Sequence, residues 1–189
     1  MDLVHERAAG MDISKRDAKV AIRVPGKRAG TFSTSVSTWG ATVPAVDVEL
    51  LGRLADHVLE RLHVHPDAEL SIAVVDEDEM ARLHVEWMDL PGPTDVLSFP
   101  MDEMRPGTPE EPVEGTLGDI VLCPPVARRQ AEAGGHSVAD ELCLLTTHGI
   151  LHLLGHDHAE PEERQIMFAL QRDLLTDFLG RPAPVETME

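Results

Sequence analysis

The chain has 189 residues, which is enough for one domain of ordinary size with a short appendage. Hydrophobic residues make up 42% of it, so a packed core is expected and global disorder is excluded. No apolar run is long enough to cross a membrane and the first residues lack the apolar stretch of a signal peptide, which together predict a cytoplasmic protein. The formal net charge of −18 argues against simple electrostatic capture of nucleic acid.

Charge divides the chain near residue 43. Residues 1–43 contain seven basic and four acidic residues, a net charge of +3, whereas residues 44–189 contain nine arginines, no lysine and thirty acidic residues, a net charge of −21. Such a change predicts two segments of different origin. We therefore expect an N-terminal extension over residues 1–43, a domain over residues 44–180 and a flexible tail over residues 181–189.

The predicted elements begin with two strands, residues 18–24 and 31–39, which flank Pro25-Gly26 and can form a hairpin. After them the apolar spacing predicts, in order, helix 46–64, strand 70–76, helix 77–88, strand 96–101, strand 117–124, helix 125–134, a long apolar helix after Ser137, and a last helix from Pro161 to about Phe178. The polar residues 104–115 predict an exposed loop. This order favours an α+β fold, a small mixed sheet packed with several helices, the long apolar helix at its centre.

Three histidines in the long apolar helix and the turn after it indicate a metal site. On a helix, His148 and His152 are four residues apart and leave the same face, so both imidazoles can reach one zinc ion. Gly155 can end the helix and turn the chain, which brings His158 back as a third ligand. Three protein ligands leave a fourth position open, as in catalytic zinc sites. Metzincin proteases share this spacing but carry Glu where this chain has Gly149, so peptide hydrolysis is disfavoured.

The neighbouring polar residues have weaker assignments. His156 breaks the ligand spacing and is expected to face solvent or a substrate. Asp157 can orient a ligand or act as a catalytic base, and a local turn hydrogen bond is an equally good interpretation. Two cysteines, Cys123 and Cys143, lie in apolar stretches and are expected to be buried thiols. The remaining histidines are expected at the surface: His5, His57, His63, His65, His84 and His136.

Three motifs resemble the YbeY family of bacterial endoribonucleases and rRNA maturation factors. They are THGILHLLGHDH, PTDVLSFP (93–100) and LGDIVLCP (117–124), in that family's order, and the resemblance covers about residues 45–180. It implies one zinc ion bound by His148, His152 and His158, in a single-strand-specific endoribonuclease. It also implies maturation of the 3′ end of small-subunit (16S) rRNA, ribosome quality control, and contacts with a small-subunit ribosomal protein or the GTPase Era.

The chain departs from the family at one position. Many members carry an arginine in the helix before PTDVLSFP, where this chain has Met88. Further substrate-binding candidates are Thr94 and Asp95, which also suit a turn at a strand boundary, and Arg128 and Arg129, which also suit a solvated helix face. Met88 and the acidic surface favour an alternative function, a non-catalytic ribosome-assembly factor with a structural zinc that binds basic ribosomal proteins.

Residues 10–42 resemble the opening hairpin of insertion-sequence transposases with a RuvC-like domain. Asp12 corresponds to the first catalytic carboxylate of that family. RuvC-like chemistry needs several carboxylates that hold two metal ions, and the partners of Asp12 belong to a downstream domain that this chain lacks. We therefore interpret residues 1–43 as a remnant without activity and expect the domain to fold and to bind metal without it.

Overall fold

A computed structural model describes residues 20–23, 32–39 and 43–186. In chain order its elements are β1 (Val20–Arg23), β2 (Ser33–Trp39), α1 (Val48–Arg61), β3 (Glu69–Val75), α2 (Glu77–Met88), β4 (Val96–Pro100), β5 (Thr116–Leu122), α3 (Pro124–Gly134), α4 (Val138–Leu153) and α5 (Pro161–Leu179). The predicted α+β class and the predicted order of elements after residue 44 are confirmed. Within the described ranges, no helix combines the length and hydrophobicity that a membrane crossing requires.

The sheet is mixed, with the strand order β1-β2-β3-β5-β4. β2 and β3 are parallel, as are β3 and β5, whereas β1 and β4 run antiparallel to their neighbours. Side chains alternate along β3, since Leu70, Ile72 and Val74 enter one core and Ala73 and Val75 enter another. The first core joins the sheet to α1, α4 and α5, and the second joins the opposite face of the sheet to α2.

The strand β2 connects the N-terminal segment to the rest of the fold. All seven of its residues pair with β3, from Ser33 opposite Glu69 to Trp39 opposite Val75, and β1 adds the predicted hairpin partner. The side chain of Val36 is 1% exposed, and Thr34 donates a hydrogen bond of 2.9 Å to Asp56 of α1. This pairing is at odds with the expectation that residues 1–43 are dispensable for folding. The proposed remnant origin stays a prediction, and Asp12 lies outside the described residues.

The helix α4 packs against the sheet and against α1, α3 and α5. Ser137 caps its N-terminus, as predicted, by accepting a hydrogen bond of 3.0 Å from the backbone N–H of Asp140. Every residue from Glu141 to Leu153 is buried, because α3, the sheet, α1 and α5 all contact this helix. The buried hydroxyl groups of Thr146 and Thr147 are satisfied by the backbone carbonyls one turn earlier.

Gly149 allows α4 to approach the sheet closely. A Cβ atom at this position would lie 3.1 Å from the side-chain carbons of Ile120 and 3.1 Å from Oγ of Ser98. Ser98 instead donates a hydrogen bond of 3.3 Å to the carbonyl oxygen of Gly149. At the position that carries the catalytic Glu in metzincins the sheet therefore lies directly against the helix, and a side chain there would require Ile120 and Ser98 to shift.

The loop of residues 104–115 is mostly exposed, as predicted, but its backbone is anchored. Hydrogen bonds of 2.7–3.0 Å join Gly107 and Val113 to the segment that follows α1, at Leu62, His63 and His65. Met104 at the start of the loop is buried and belongs to the core that α4 shares. The loop therefore lies in a fixed place beside the end of α4.

Candidate metal centre

The structure brings together the three histidines that the sequence predicts as ligands. One nitrogen from each of His148, His152 and His158 lies within 4.8 Å of one from each of the other two. His148 and His152 are fully buried on α4, and their Nε2 atoms lie 3.0 Å apart. Gly155, with a φ of 80°, ends the helix and reverses the chain, which places His158 against both rings.

The hydrogen bonds around the cluster leave nitrogen lone pairs directed into it. Nδ1 of His148 lies 2.9 Å from Oε1 of Gln171, a buried side chain of α5. Because an amide oxygen only accepts, Nδ1 carries the proton and Nε2 of His148 keeps its lone pair. Nε2 of His158 is buried and has no hydrogen-bond partner among the described residues. Three imidazoles arranged in this way fit a zinc ion or another transition metal.

Burial keeps these imidazoles neutral, which is the form that binds a metal. Removal from water lowers the pKa of His148 well below its usual value, and the neighbouring His152 lowers it further. Burial and then the proximity of His158 lower the pKa of His152 to about 4. Burial also lowers the pKa of His158. The three imidazoles are therefore uncharged at neutral pH.

Asp157 and His156 lie beside the cluster in the turn after α4. The carboxylate of Asp157 is exposed and accepts a hydrogen bond of 2.7 Å from the backbone N–H of His158. Its negative charge is among the causes that act on the pKa values of His152 and His158. His156 is half-buried, and burial lowers its pKa. The contact of His156 with a substrate and the catalytic role of Asp157 stay predictions.

Asp95 forms contacts that fix the loop before β4. Its carboxylate accepts hydrogen bonds from the hydroxyl of Thr94, from the backbone N–H of Val96 and from Nε2 of Gln130 on α3, at 2.7–3.0 Å. Its backbone oxygen accepts from the N–H of Cys123. These contacts account for Asp95 as a structural residue. Among the described contacts none joins Thr94 or Asp95 to the histidines, and binding of RNA by them stays a prediction.

The two arginines of α3 are exposed. Arg129 forms an ion pair of 2.8 Å with Glu77 at the start of α2, and Arg128 forms none within the described residues. Met88 packs against the core on the α2 face of the sheet, so that this position offers a partly buried thioether and no cation. Arg128 is consequently the freer of the two candidates to meet a phosphate.

The other histidines are less exposed than the sequence predicts. His57, His63, His65, His84 and His136 are all half-buried, and His5 lies outside the described residues. Their rings pack or form hydrogen bonds locally: His57 lies against Phe178, His84 contacts the carbonyl of Gly92, and His136 pairs with Glu141. Cys123 and Cys143 are buried free thiols, as predicted, and burial raises their pKa values to about 11 and about 12.

Two residues of the centre are absent from the sequence prediction. Gln171 orients His148, and Phe168 lies with its ring 5.9 Å from that of His158 and 6.1 Å from that of His148. A signal for Gln171 exists in the sequence, since this polar residue occupies the otherwise apolar stripe of α5 that includes Met167, Leu174 and Leu175. Its partner cannot be read from that pattern.

The fold and the cluster define an α+β domain built around a central helix that bears a candidate three-histidine metal centre. Comparison with known proteins gives the family. The family model described as Endoribonuclease YbeY matches residues 41–179. The chain belongs to this family.

Individual relatives agree with this assignment. Endoribonuclease YbeY of Renibacterium salmoninarum is 65% identical over 138 residues, which are 72% of this chain and 88% of that protein. Endoribonuclease YbeY of Micrococcus luteus is 62% identical over 144 residues, 76% of this chain and 92% of that protein. The solution structure of TM1509 from Thermotoga maritima is similar in fold, with a TM-score of 0.53 and 26% identity, and the match covers 77% of this chain and 89% of that one.

Proposed function

We propose that this protein is a single-strand-specific endoribonuclease that depends on one zinc ion, matures the 3′ end of 16S rRNA and takes part in ribosome quality control. The observation that carries the proposal is the buried cluster of His148, His152 and His158 in a chain of the Endoribonuclease YbeY family. The relatives are named Endoribonuclease YbeY, which supports the endoribonuclease part of the proposal. Outside the cluster, Gln171 orients the ring of His148 and Asp157 supplies a negative charge.

His148, His152 and His158 would hold the zinc ion through imidazole nitrogens, and the ion supplies Lewis acidity to a phosphodiester when bound. Gln171 holds the ring of His148 in one tautomer and one orientation, so that its Nε2 lone pair faces the cluster. Gly149 packs against the sheet and supplies no glutamate base of the protease type. These features support phosphodiester cleavage over peptide cleavage.

Asp157 is the group that we assign as proton acceptor. Its exposed carboxylate follows the turn at Gly155 and lies close enough to act on the pKa values of His152 and His158. In cleavage of RNA it takes the proton of the attacking hydroxyl, either a 2′-hydroxyl of the substrate or water, as that oxygen bonds to phosphorus. The P–O bond to the leaving ribose oxygen breaks, and the leaving oxygen takes up a proton from solvent. A variant with Asp157→Asn keeps the side-chain shape and removes the base, so its cleavage rate tests the assignment.

The proposed partners are the small ribosomal subunit and its rRNA, with a small-subunit ribosomal protein or the GTPase Era as protein contacts in the cytoplasm. Arg128, exposed on α3 without an ion pair in the described residues, supports an RNA contact. Thr94 and Arg129 are weaker candidates because each is already engaged with an acidic side chain.

The test is cleavage of small-subunit rRNA precursor by zinc-loaded protein. The wild type should cleave it, and a folded His152→Ala variant should lose at least about a hundredfold in rate, because the site loses a ligand. His65→Ala, which changes a half-buried histidine outside the cluster, is the matched control and should cleave normally. Equal activity of the wild type and the His152→Ala variant would contradict the proposal.

A second function is favoured by the charge of the chain. Thirty acidic residues and nine arginines after residue 43, together with Met88, suit basic ribosomal proteins better than RNA. In this alternative the protein is a non-catalytic ribosome-assembly factor with a structural zinc ion. The His152→Ala variant separates the two functions, because a structural site would lose its fold and an enzyme would mainly lose turnover.

A further inference from the structure

The ring of Phe168 separates the guanidinium of Arg164 from the candidate metal centre. Its guanidinium carbon lies 5.1 Å from the centroid of Phe168, one turn further along α5. The ring of Phe168 in turn lies against those of His148 and His158.

Arg164 is not neutralised by the acids beside it. Within residues 43–186 five arginines form ion pairs with carboxylates: Arg61, Arg82, Arg129, Arg172 and Arg181. In the same range Arg164 forms none, although Glu160, Glu162 and Glu163 directly precede it. Its side chain is exposed and its guanidinium lies over the ring of Phe168, a contact that restricts its rotation. Such a guanidinium is pre-organised for an anion.

A second arginine reaches the turn that bears His158 from a different element. A Cβ atom at Gly155 would lie 3.9 Å from Cγ of Arg105 and 3.2 Å from the carbonyl oxygen of Met104. Arg105 also forms no ion pair within the part of the chain that the structure describes. Two arginines that form no ion pair in the described residues, Arg105 and Arg164, therefore lie near the turn that bears His158.

We propose that Arg164 is a substrate-binding residue that contacts a phosphate of single-stranded RNA next to the bond held at the histidines, with Phe168 as its positioning residue. The inference rests on the proposed function for the class of substrate. A guanidinium offers two parallel N–H donors to one phosphate, a geometry that lysine cannot reproduce. The surrounding carboxylates weaken long-range attraction of RNA, so the contact acts through short-range geometry.

The experiment measures binding of a fluorescently labelled single-stranded RNA by anisotropy over a series of salt concentrations, with zinc-loaded protein. The Arg164→Ala variant should bind about tenfold more weakly, since a charge-assisted phosphate contact is lost. The slope of log K against log salt should become shallower by about 0.7, the value for one phosphate contact in a single strand. Arg164→Lys should keep the slope and recover only part of the affinity.

Two further variants complete the series. Phe168→Leu keeps the charge but removes the ring under the guanidinium, so it should weaken binding without changing the slope. Arg53→Ala removes an exposed arginine of α1 that forms no ion pair in the described residues, and it should change neither quantity. Circular dichroism of each variant establishes that the fold is retained.

The outcomes separate this inference from the proposed function. If the wild type cleaves RNA but Arg164→Ala binds with unchanged affinity and slope, the inference is overturned and the function stands. If the wild type binds RNA through Arg164 without cleaving it, the inference stands and the function fails. Absence of RNA binding by the zinc-loaded wild type overturns the inference as well.

Discussion

Oε1 of Gln171 lies 2.9 Å from Nδ1 of His148, and both side chains have no exposed surface. This contact joins α5 to α4 across 23 positions of the chain, at the point where the ring must be oriented to bind a metal. Outer partners of this kind fix the tautomer and the orientation of a ligating histidine. The role of α5 therefore extends beyond packing.

Replacement of Gln171 by Leu should lower zinc affinity by about 10- to 100-fold, because the ring of His148 loses the acceptor that holds it. Gln171→Glu keeps an acceptor at the same place and should retain most of the affinity. Gln165→Leu, at an exposed glutamine of the same helix, is the control. Competition with a chromophoric chelator measures the affinity, and equal zinc binding by the Gln171→Leu and Gln165→Leu variants would contradict the assigned role.

Gly149→Ala should destabilise the protein by about 1–2 kcal/mol. The methyl group would meet Ile120 and Ser98 at 3.1 Å, and the cost of overpacking exceeds the gain in helix propensity of about 1 kcal/mol. Urea unfolding measures the difference. Adding Ile120→Val removes the Cδ1 atom from the contact and should recover part of the loss. A Gly149→Ala variant more stable than the wild type would show that the sheet yields at this point.

A variant that begins at Pro44 should melt at a markedly lower temperature than one that begins at Phe32. Both lack residues 1–31, but only the first loses β2, whose removal leaves the edge of β3 unpaired and exposes its core contacts. Burial of Val36 alone stabilises the fold by about 1.5–3 kcal/mol. Equal melting temperatures of the two variants would restore the earlier expectation that residues 1–43 are dispensable.

Metal-free protein should lose stability as the pH falls from about 6.5 to about 4. The pKa of His152 is about 4 in the folded state, below its value of 6.5 in the unfolded chain, so the unfolded state binds more protons in this window. Stability is at its full value above about pH 6.5, and the loss due to His152 amounts to about 3 kcal/mol by pH 4. His148 acts in the same direction.

Thermal melts in the presence of a chelator, at pH 7.5 and pH 5, measure this dependence on pH. His152→Gln removes the titrating group, so its melting temperature should fall less between the two values than that of the wild type. An identical fall in both proteins would assign the loss of stability to other groups.

Local signals made much of the architecture predictable. The cap at Ser137, the period of apolar residues and the spacing of His148, His152 and Gly155 all act within one or two helical turns, and the structure agrees with them. The order of strands in the sheet could not be predicted in this way, because the pairing of β3 with both β2 and β5 depends on contacts between distant segments.

The same distinction applies to the candidate site. Asp95 lies in the motif PTDVLSFP and Gln171 in the predicted last helix, and their hydrogen-bond partners decide their roles. Asp95 meets Gln130 on α3 and fixes a loop, whereas Gln171 meets His148 and orients a candidate ligand. Neither partner lies within a local period of the sequence, so residue type and spacing alone could not distinguish the two roles.

The backbone around His158, in the turn after α4, should open to solvent more often than the backbone around His148 and His152. His148 and His152 lie in a helix buried on all sides, whose amide hydrogens should exchange with solvent only when the whole domain unfolds. His158 follows Gly155 and Asp157, which are both exposed, and amides there can exchange through local opening. A bound ion would therefore exchange with solution through displacement of His158, at a rate set by the turn and independent of the global stability of the fold.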